Sequence, residues 1–337
     1  MPERPTHYRG YDLIGDIHGC AQTLRKLLQK LDYQLVSGVY QHRYRQAIFI
    51  GDIVDRGPRV REALHLVKDM VDRGSAQIVM GNHEYDALCY CTRAQPGADR
   101  EYLREHTPRH NRLIAETLSQ FANHGHEWNG FLEWFYTLPL FLELDGFRVV
   151  HACWDADLIG QFKARYGSNR IDEDFLHASV AKGSFASMVM DRLLRGTAMP
   201  LPENRVMVGR DGLTRSFFRT RFWAENPQAY GDVVFQPDPL PQDIAEQRLS
   251  DTEKCRLLSY PPAEPPVFFG HYWMTGTPKP LKPNLACVDY SAVKYGKLVA
   301  YRMDGEQILD PGKFVWVDVP PPELPEPADQ DDTQDND

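Results

Sequence analysis

An α/β fold with a largely parallel sheet is predicted by two observations: apolar strand-like runs alternate with helix-spaced apolar segments, and three of those runs end in glycine-led loops carrying acidic and histidine side chains. Tyr11 to Ile14 reads as a short buried strand closing at Gly15, and Ala21 to Leu31 follows with Leu24, Leu27, Leu28 and Leu31 at helical spacing. Ala47 to Ile50 repeats the pattern, with Gly51 to Pro58 as loop and Val60 to Val71 as helix. Gln77 to Met80 does so again, followed by Gly81 to Glu84 and a helix beginning near Tyr85. In such sheets functional groups collect beyond the carboxyl ends of the strands, where all three loops fall.

Farther along, Arg100 to Tyr136 reads as helical and aromatic-rich, a candidate cap, and Phe141 to His151 as a hairpin turning at Asp145-Gly146. Phe162 to Leu194 reads as mainly helical, and Pro200 to Pro266 as loops and short strands. Val267 to Phe269, Ala286 to Asp289, Lys297 to Met303 and Phe314 to Val317 read as returning core strands. This gives one catalytic domain over 1–319, with insertions at about 100–136 and 156–266, and an acidic, proline-rich tail over 320–337 expected to be disordered.

The 337 residues carry a formal net charge of −9, which argues against wrapping an extended nucleic acid through a basic face. Part of that acidity is the tail, from Glu323 to Asp337. The six cysteines include no C-x-x-C pair, and Cys89-x-Cys91 has no second pair at zinc-finger spacing, so free thiols in a reducing cytoplasm are expected. The polar start, Met1 to Arg9, and the lack of a long apolar run imply no membrane segment.

The chemistry lies in G-D-I-H-G (Gly15 to Gly19), G-D-I-V-D-R-G (Gly51 to Gly57), G-N-H-E (Gly81 to Glu84) and G-H-Y (Gly270 to Tyr272). Asp16 and His18 flank Ile17, so both can face one ion. The two carboxylate oxygens of Asp52 can bridge two ions about 3.5–4 Å apart. Asn82 offers an amide oxygen, and His151 and His271 offer imidazoles from later strand ends. Mixed oxygen and nitrogen donors suit two divalent ions, manganese first, with iron, zinc or nickel as alternatives. Such ions polarise phosphate and acidify bound water, which supplies the nucleophile for hydrolysis. His83 is the candidate general acid, Asp55 its orienting carboxylate, and Arg56 the planar fork for phosphate oxygens.

These motifs resemble those of calcineurin-like metallophosphoesterases, in the phosphoprotein phosphatase branch that includes serine/threonine protein phosphatases and bacterial symmetrical diadenosine tetraphosphatases. The resemblance is dense over Tyr11 to Tyr85 and is anchored later by His151 and His271. It implies a four-layer αββα sandwich with helical cap and insertion segments. It also implies one metal on Asp16, His18 and Asp52, and a second on Asp52, Asn82, His151 and His271. Gly19-Cys20 before a leucine-rich helix is similar to the small bacterial members, and Arg219 to Asn226 resembles a bacterial segment with a second phosphate-binding arginine. Arg219 and Arg221 are both candidates for that role.

The chain departs from the pattern where Ala152-Cys153-Trp154 follows His151 and where Tyr272-Trp273 follows His271, placing bulky side chains near the expected pocket. Trp154, Tyr272 and Trp273 are candidates to stack on a base, against an ordinary core role, and Asn82 and Tyr272 join the candidate substrate contacts. The leading expectation is a cytoplasmic, metal-dependent serine/threonine protein phosphatase-like hydrolase acting on a phosphorylated protein. The alternative is a symmetrical bis(5'-nucleosyl)-tetraphosphatase or other nucleotide phosphohydrolase. A nuclease or cyclic phosphodiesterase on the same site, and a silent phospho-ligand binder, are weaker readings, the last because His83, Asp55 and Arg56 accompany the intact ligand set.

Overall fold

The computed structural model describes residues 8–208, 214–235 and 240–321; the expected tail lies, from 322 onward, outside them. Two sheets face one another. The six-stranded sheet has Gly10–Ile14, Arg45–Phe49 and Ala76–Ile78 in parallel array, as the strand-to-helix units imply. Lys297–Met303 extends it antiparallel to Gly10–Ile14, and both Asp289–Tyr290 and Phe314–Asp318 pair with Lys297–Met303. The four-stranded sheet holds the hairpin Phe141–Leu144 and Phe147–Val150, then Val267–Phe269 and Leu285–Cys287 in parallel.

Side-chain alternation explains the layering. Leu13, Ile48 and Ile50 point into a cluster with Phe147, Val149 and Phe268 of the other sheet, forming the layer between sheets. Ile14, Ala47 and Phe49 point the opposite way, against Leu24, Leu27 and Leu28 of the helix Ala21–Lys30 and Val60, Leu64 and Val67 of the helix Val60–Asp72. This is the αββα arrangement. Beside the second sheet lie the helices Ala156–Tyr166, Glu173–Ser179 and Phe185–Arg195, with Phe162 against Phe141 at 6.4 Å between ring centroids and the Leu193 carbonyl accepting from the Ala152 amide at 2.9 Å. The stretch expected as one run from Ala286 to Asp289 is divided: Leu285–Cys287 belongs to the second sheet and Asp289–Tyr290 to the first, so the chain changes sheet at Val288. The aromatic segment from Arg100 to Tyr136 resolves into the helices Pro108–Gln120 and Gly125–Tyr136, and the helix expected near Tyr85 starts earlier, spanning Asn82–Cys91.

All six cysteines are free. No helix among the described residues is long and apolar enough to cross a membrane.

Candidate metal centre

The glycines of the motifs are required by close backbone approach. A Cβ on Gly57 would stand 1.8 Å from the His18 carbonyl oxygen, and one on Gly270 would stand 2.1 Å from Asp16 Oδ1. The loops are laced together: the His18 amide donates to the Asp52 carbonyl at 2.8 Å, the Gly19 amide to Ile53 at 2.8 Å, and the Gly270 amide to His151 at 2.8 Å. Buried Glu84 accepts from the amides of Gly81, Asp52 and Ile53 at 2.9, 2.8 and 2.7 Å, tying the third loop to the second. His18, Asp52, Asp55, Arg56, His271 and Trp273 all adopt left-handed φ, between 41° and 69°. Such clustering of disfavoured backbone persists only where surrounding contacts enforce it, which is characteristic of functional sites.

Asp52 is the centre. Its Oδ2 lies 3.5 Å from His18 Nε2 and 3.5 Å from His151 Nε2, while its Oδ1 accepts the His83 amide at 2.9 Å. Two groups able to hold a cation share this carboxylate: His18, Asp52 and His83, and Asp52, His151 and His271, each with ligand atoms within 4.8 Å of one another. His18 Nδ1 meets the Val54 carbonyl at 2.8 Å and His151 Nδ1 meets that of Ile50 at 2.6 Å, which orients each ring and aims Nε2 inward. Asn82 Oδ1 stands 3.1 Å from His151 Nε2. Asp16 Oδ1, His18 Nε2 and His271 Nε2 are buried with no hydrogen-bond partner. Buried polar atoms almost always have partners, so three orphaned atoms of ligand type around one buried carboxylate fit divalent cations.

The electrostatics point the same way. Burial holds the Asp16 carboxyl well above its ordinary value, with Asp289 adding to the effect. Burial pushes His18 and His271 well below theirs, keeping both imidazoles neutral and able to ligate. Burial opposes ionisation at Asp52, but His151 and His83 outweigh it and hold the carboxyl well below its usual range. Burial likewise opposes charge on His151, yet Asp52 raises it to about 10. Cation binding must therefore displace a proton there.

His83 is built differently. Its Nδ1 meets Asp55 Oδ2 at 2.6 Å and its Nε2 meets Arg56 Nη2 at 3.1 Å, so both nitrogens are engaged, unlike the orphaned Asp16 Oδ1. Burial opposes the imidazolium, but Asp52 and the Asp55 hydrogen bond outweigh it and raise His83 above its ordinary value. Arg56 Nη1 is buried without a partner.

The structure separates the remaining candidates. Arg219 reaches the site: its Nη1 donates to the His271 carbonyl at 2.9 Å, and burial lowers its pKa, with Arg56 acting in the same direction. Arg221 follows the strand Phe217–Thr220, with its amide donating to the Val233 carbonyl at 2.6 Å and its charge helping to lower the Asp232 carboxyl. Tyr272 is corrected as a substrate contact. Its ring is fully buried among Phe222, Trp223, Phe235 and Phe269, and its hydroxyl donates to the Thr220 carbonyl at 3.3 Å, because the aromatic cluster leaves it no route to the surface. Trp154 is buried against Phe141 and is core as well. Trp273 alone of the three is partly exposed, with Arg56 Cζ 4.7 Å and Lys294 Nζ 3.3 Å from its ring centroid.

Sequence reasoning missed Asp289 and Thr117. Asp289 accepts from the Trp273 and Ser291 amides at 2.7 and 2.9 Å, fixing the turn after His271, and Thr117 Oγ1 donates to Asp55 Oδ1 at 2.6 Å. No motif marks either one; both emerge only where the chain folds back.

Residues 11–176 match the family described as calcineurin-like phosphoesterase. An asymmetrical bis(5'-nucleosyl)-tetraphosphatase PrpE of Oceanobacillus iheyensis is 35% identical over 153 residues, spanning 44% of this chain and 58% of that protein. Its counterpart in Bacillus thuringiensis strain Al Hakam is 32% identical over 198 residues, spanning 56% of this chain and 75% of that protein. A protein serine/threonine phosphatase from Saccharomyces cerevisiae, described as similar to human phosphatase PP5, shares the fold with a TM-score of 0.50 at 16% identity, over 95% of this chain and 82% of that one. With three quarters of the Bacillus thuringiensis relative aligned at 32% identity and the signature loops assembled around Asp52, the chain belongs to the calcineurin-like phosphoesterases.

Proposed function

We propose that this protein is a dinuclear-metal-dependent phosphohydrolase that cleaves phosphate anhydrides or esters by direct attack of water. The observation that carries this reading is Asp52 Oδ2 standing 3.5 Å from both His18 and His151 amid orphaned ligand atoms. Asp16, His18 and Asp52 would hold one ion, and Asp52, Asn82, His151 and His271 the other; manganese is our choice, with iron, zinc or nickel as alternatives. Bound ions would supply Lewis-acid polarisation of the phosphate and acidify water near neutral pH.

The protein's own groups complete the reaction. Arg56, with an unpartnered Nη1, and Arg219 grip non-bridging oxygens and hold the phosphorus in line. As the water oxygen bonds to phosphorus it sheds a proton to solvent, the bond to the leaving oxygen breaks with its electron pair, and the proton on His83 Nε2 passes to that oxygen, His83 being reprotonated from solvent after the step. Asp55 keeps Nδ1 protonated and stabilises the imidazolium. Arg56 Nη2 occupies His83 Nε2 in this structure, so phosphate must draw Arg56 away before that nitrogen can carry the proton.

For substrate we favour a dinucleoside polyphosphate over a phosphoprotein. The named relatives are tetraphosphatases, and Lys294 and Arg56 both lie against the Trp273 ring, which sets a second cation near the arginine we assign to phosphate. The relatives are called asymmetrical, whereas the sequence motifs resemble symmetrical enzymes as well; products distinguish these. From diadenosine tetraphosphate, asymmetrical cleavage yields ATP and AMP and symmetrical cleavage yields two ADP. Assays of that substrate and of a phosphothreonine peptide, on metal-stripped protein reloaded with manganese, test the assignment: turnover of the peptide alone would reject it. Lys294→Ala is expected to raise KM for the tetraphosphate by roughly threefold to tenfold, about the value of an exposed charge contact, and leave a small aryl phosphate unaffected.

Metal affinity should depend on pH. Because Asp52 raises His151 to about 10, its imidazole is protonated at pH 6–8, so binding there is expected to release a proton and affinity to rise with pH across that interval. Calorimetry in buffers of different ionisation enthalpy reads the released proton; a buffer-independent heat and pH-independent affinity would contradict it.

A further inference from the structure

The helix Pro108–Gln120 reaches the catalytic loop through one hydroxyl. Thr117 is fully buried, and its Oγ1 donates to Asp55 Oδ1 at 2.6 Å while accepting from the Asp55 amide at 3.0 Å. A helical threonine ordinarily turns its hydroxyl toward its own helix, to a carbonyl three or four residues back. Here the donor and an acceptor position are both committed to a single residue of another element. Asp55 Oδ2 is left to His83 Nδ1 at 2.6 Å, so the chain of contacts runs Thr117, Asp55, His83. The same helix is fastened to the loop by Gln120, whose Nε2 donates to the Gly57 carbonyl at 3.3 Å and whose Oε1 accepts from the Arg61 amide at 3.1 Å.

We propose that Thr117 is a positioning residue for proton delivery, holding Asp55 in the one orientation that aims His83 Nε2 at the leaving oxygen; this rests on the phosphohydrolase reading above. Three features support it. Asp55 and Arg56 have φ of 69° and 68°, a backbone that needs external contacts to persist, and Thr117 supplies one to the Asp55 amide. A free carboxylate rotates about its last bond, and the Thr117 hydroxyl removes that freedom by holding Oδ1. The bonds are buried, where losing a partner of a carboxylate costs most. Thr117 itself makes and breaks no covalent bond. The helix Pro108–Gln120 thereby acts on the chemistry through the loop it holds.

The test is a leaving-group series of aryl phosphates, from nitrophenyl, which departs without help, to phenyl, which needs a proton. Thr117→Val keeps the shape and removes both bonds; Thr117→Ser restores them. Thr117→Val is expected to lower kcat on phenyl phosphate by roughly 10-fold to 100-fold, the scale of a lost hydrogen bond to a charged group. Its kcat on nitrophenyl phosphate should change less than about threefold on the same scale, and Thr117→Ser should recover both. Equal losses across the series, no loss, or failure of Thr117→Ser to recover would overturn the assignment. Should Thr117→Val not fold, proton NMR of Thr117→Ala decides: the His83 Nδ1 proton, far downfield in a bond to carboxylate, must shift and must return in Thr117→Ser. An unchanged resonance would overturn the proposal. Wild-type protein inactive on every phosphate would overturn the underlying phosphohydrolase reading instead.

Discussion

Asp52→Asn is expected to abolish the paired metal site. The substitution keeps the shape and removes the charge facing both His18 and His151 at 3.5 Å, so neither cation position retains its shared carboxylate. It also releases His151 from the interaction that raises its pKa to about 10, leaving a neutral imidazole in a site short of one anion. Metal analysis should find fewer than two ions per chain after desalting. Turnover should fall by at least the roughly 10²–10³-fold typical for loss of one preorganised electrostatic group. Two tightly bound ions in Asp52→Asn would contradict the bridging role.

His83→Ala is expected to separate catalysis from metal binding. His83 can be read in two ways, because it lies within 4.8 Å of His18 and Asp52 as a possible ligand, yet both its nitrogens are engaged, by Asp55 and Arg56. The general-acid reading predicts unchanged metal content and a loss of roughly 10²–10⁴-fold on substrates with poor leaving groups, the usual contribution of general acid catalysis. The loss should shrink as the leaving group improves. Metal content reduced to one ion would favour the ligand reading, and full activity on phenyl phosphate would exclude the acid role.

What the sequence disclosed follows from what is local. The strand, loop and helix units around Asp16, Asp52 and Asn82 carry their periodicity and their ligands within about ten residues of one another, so pattern and chemistry could be read together. The change of sheet at Val288 could not, since Leu285 to Tyr290 is uniformly buried and the apolar run Leu285 to Val288 does not say which sheet it serves. Tyr272 and Trp273 are adjacent in sequence, yet one is sealed in an aromatic cluster and the other stands beside Arg56; only tertiary packing separates them. Arg219 and Arg221 were indistinguishable for the same reason. Thr117 lies 62 residues from its partner Asp55, and Glu84, visible in its motif, revealed its role only through the amides it binds. The left-handed backbone at His18, Asp52 and His271 falls on residue types enriched in that region, but most histidines and aspartates do not adopt it, so the sequence does not single these three out; the surrounding loops impose it.

The most direct test of the dinuclear account is a titration of manganese into metal-stripped protein, with turnover of diadenosine tetraphosphate followed at each addition. Activity should be absent without metal and rise to a plateau at two equivalents per chain. A plateau at one equivalent, or full turnover in the presence of a chelator, would contradict it.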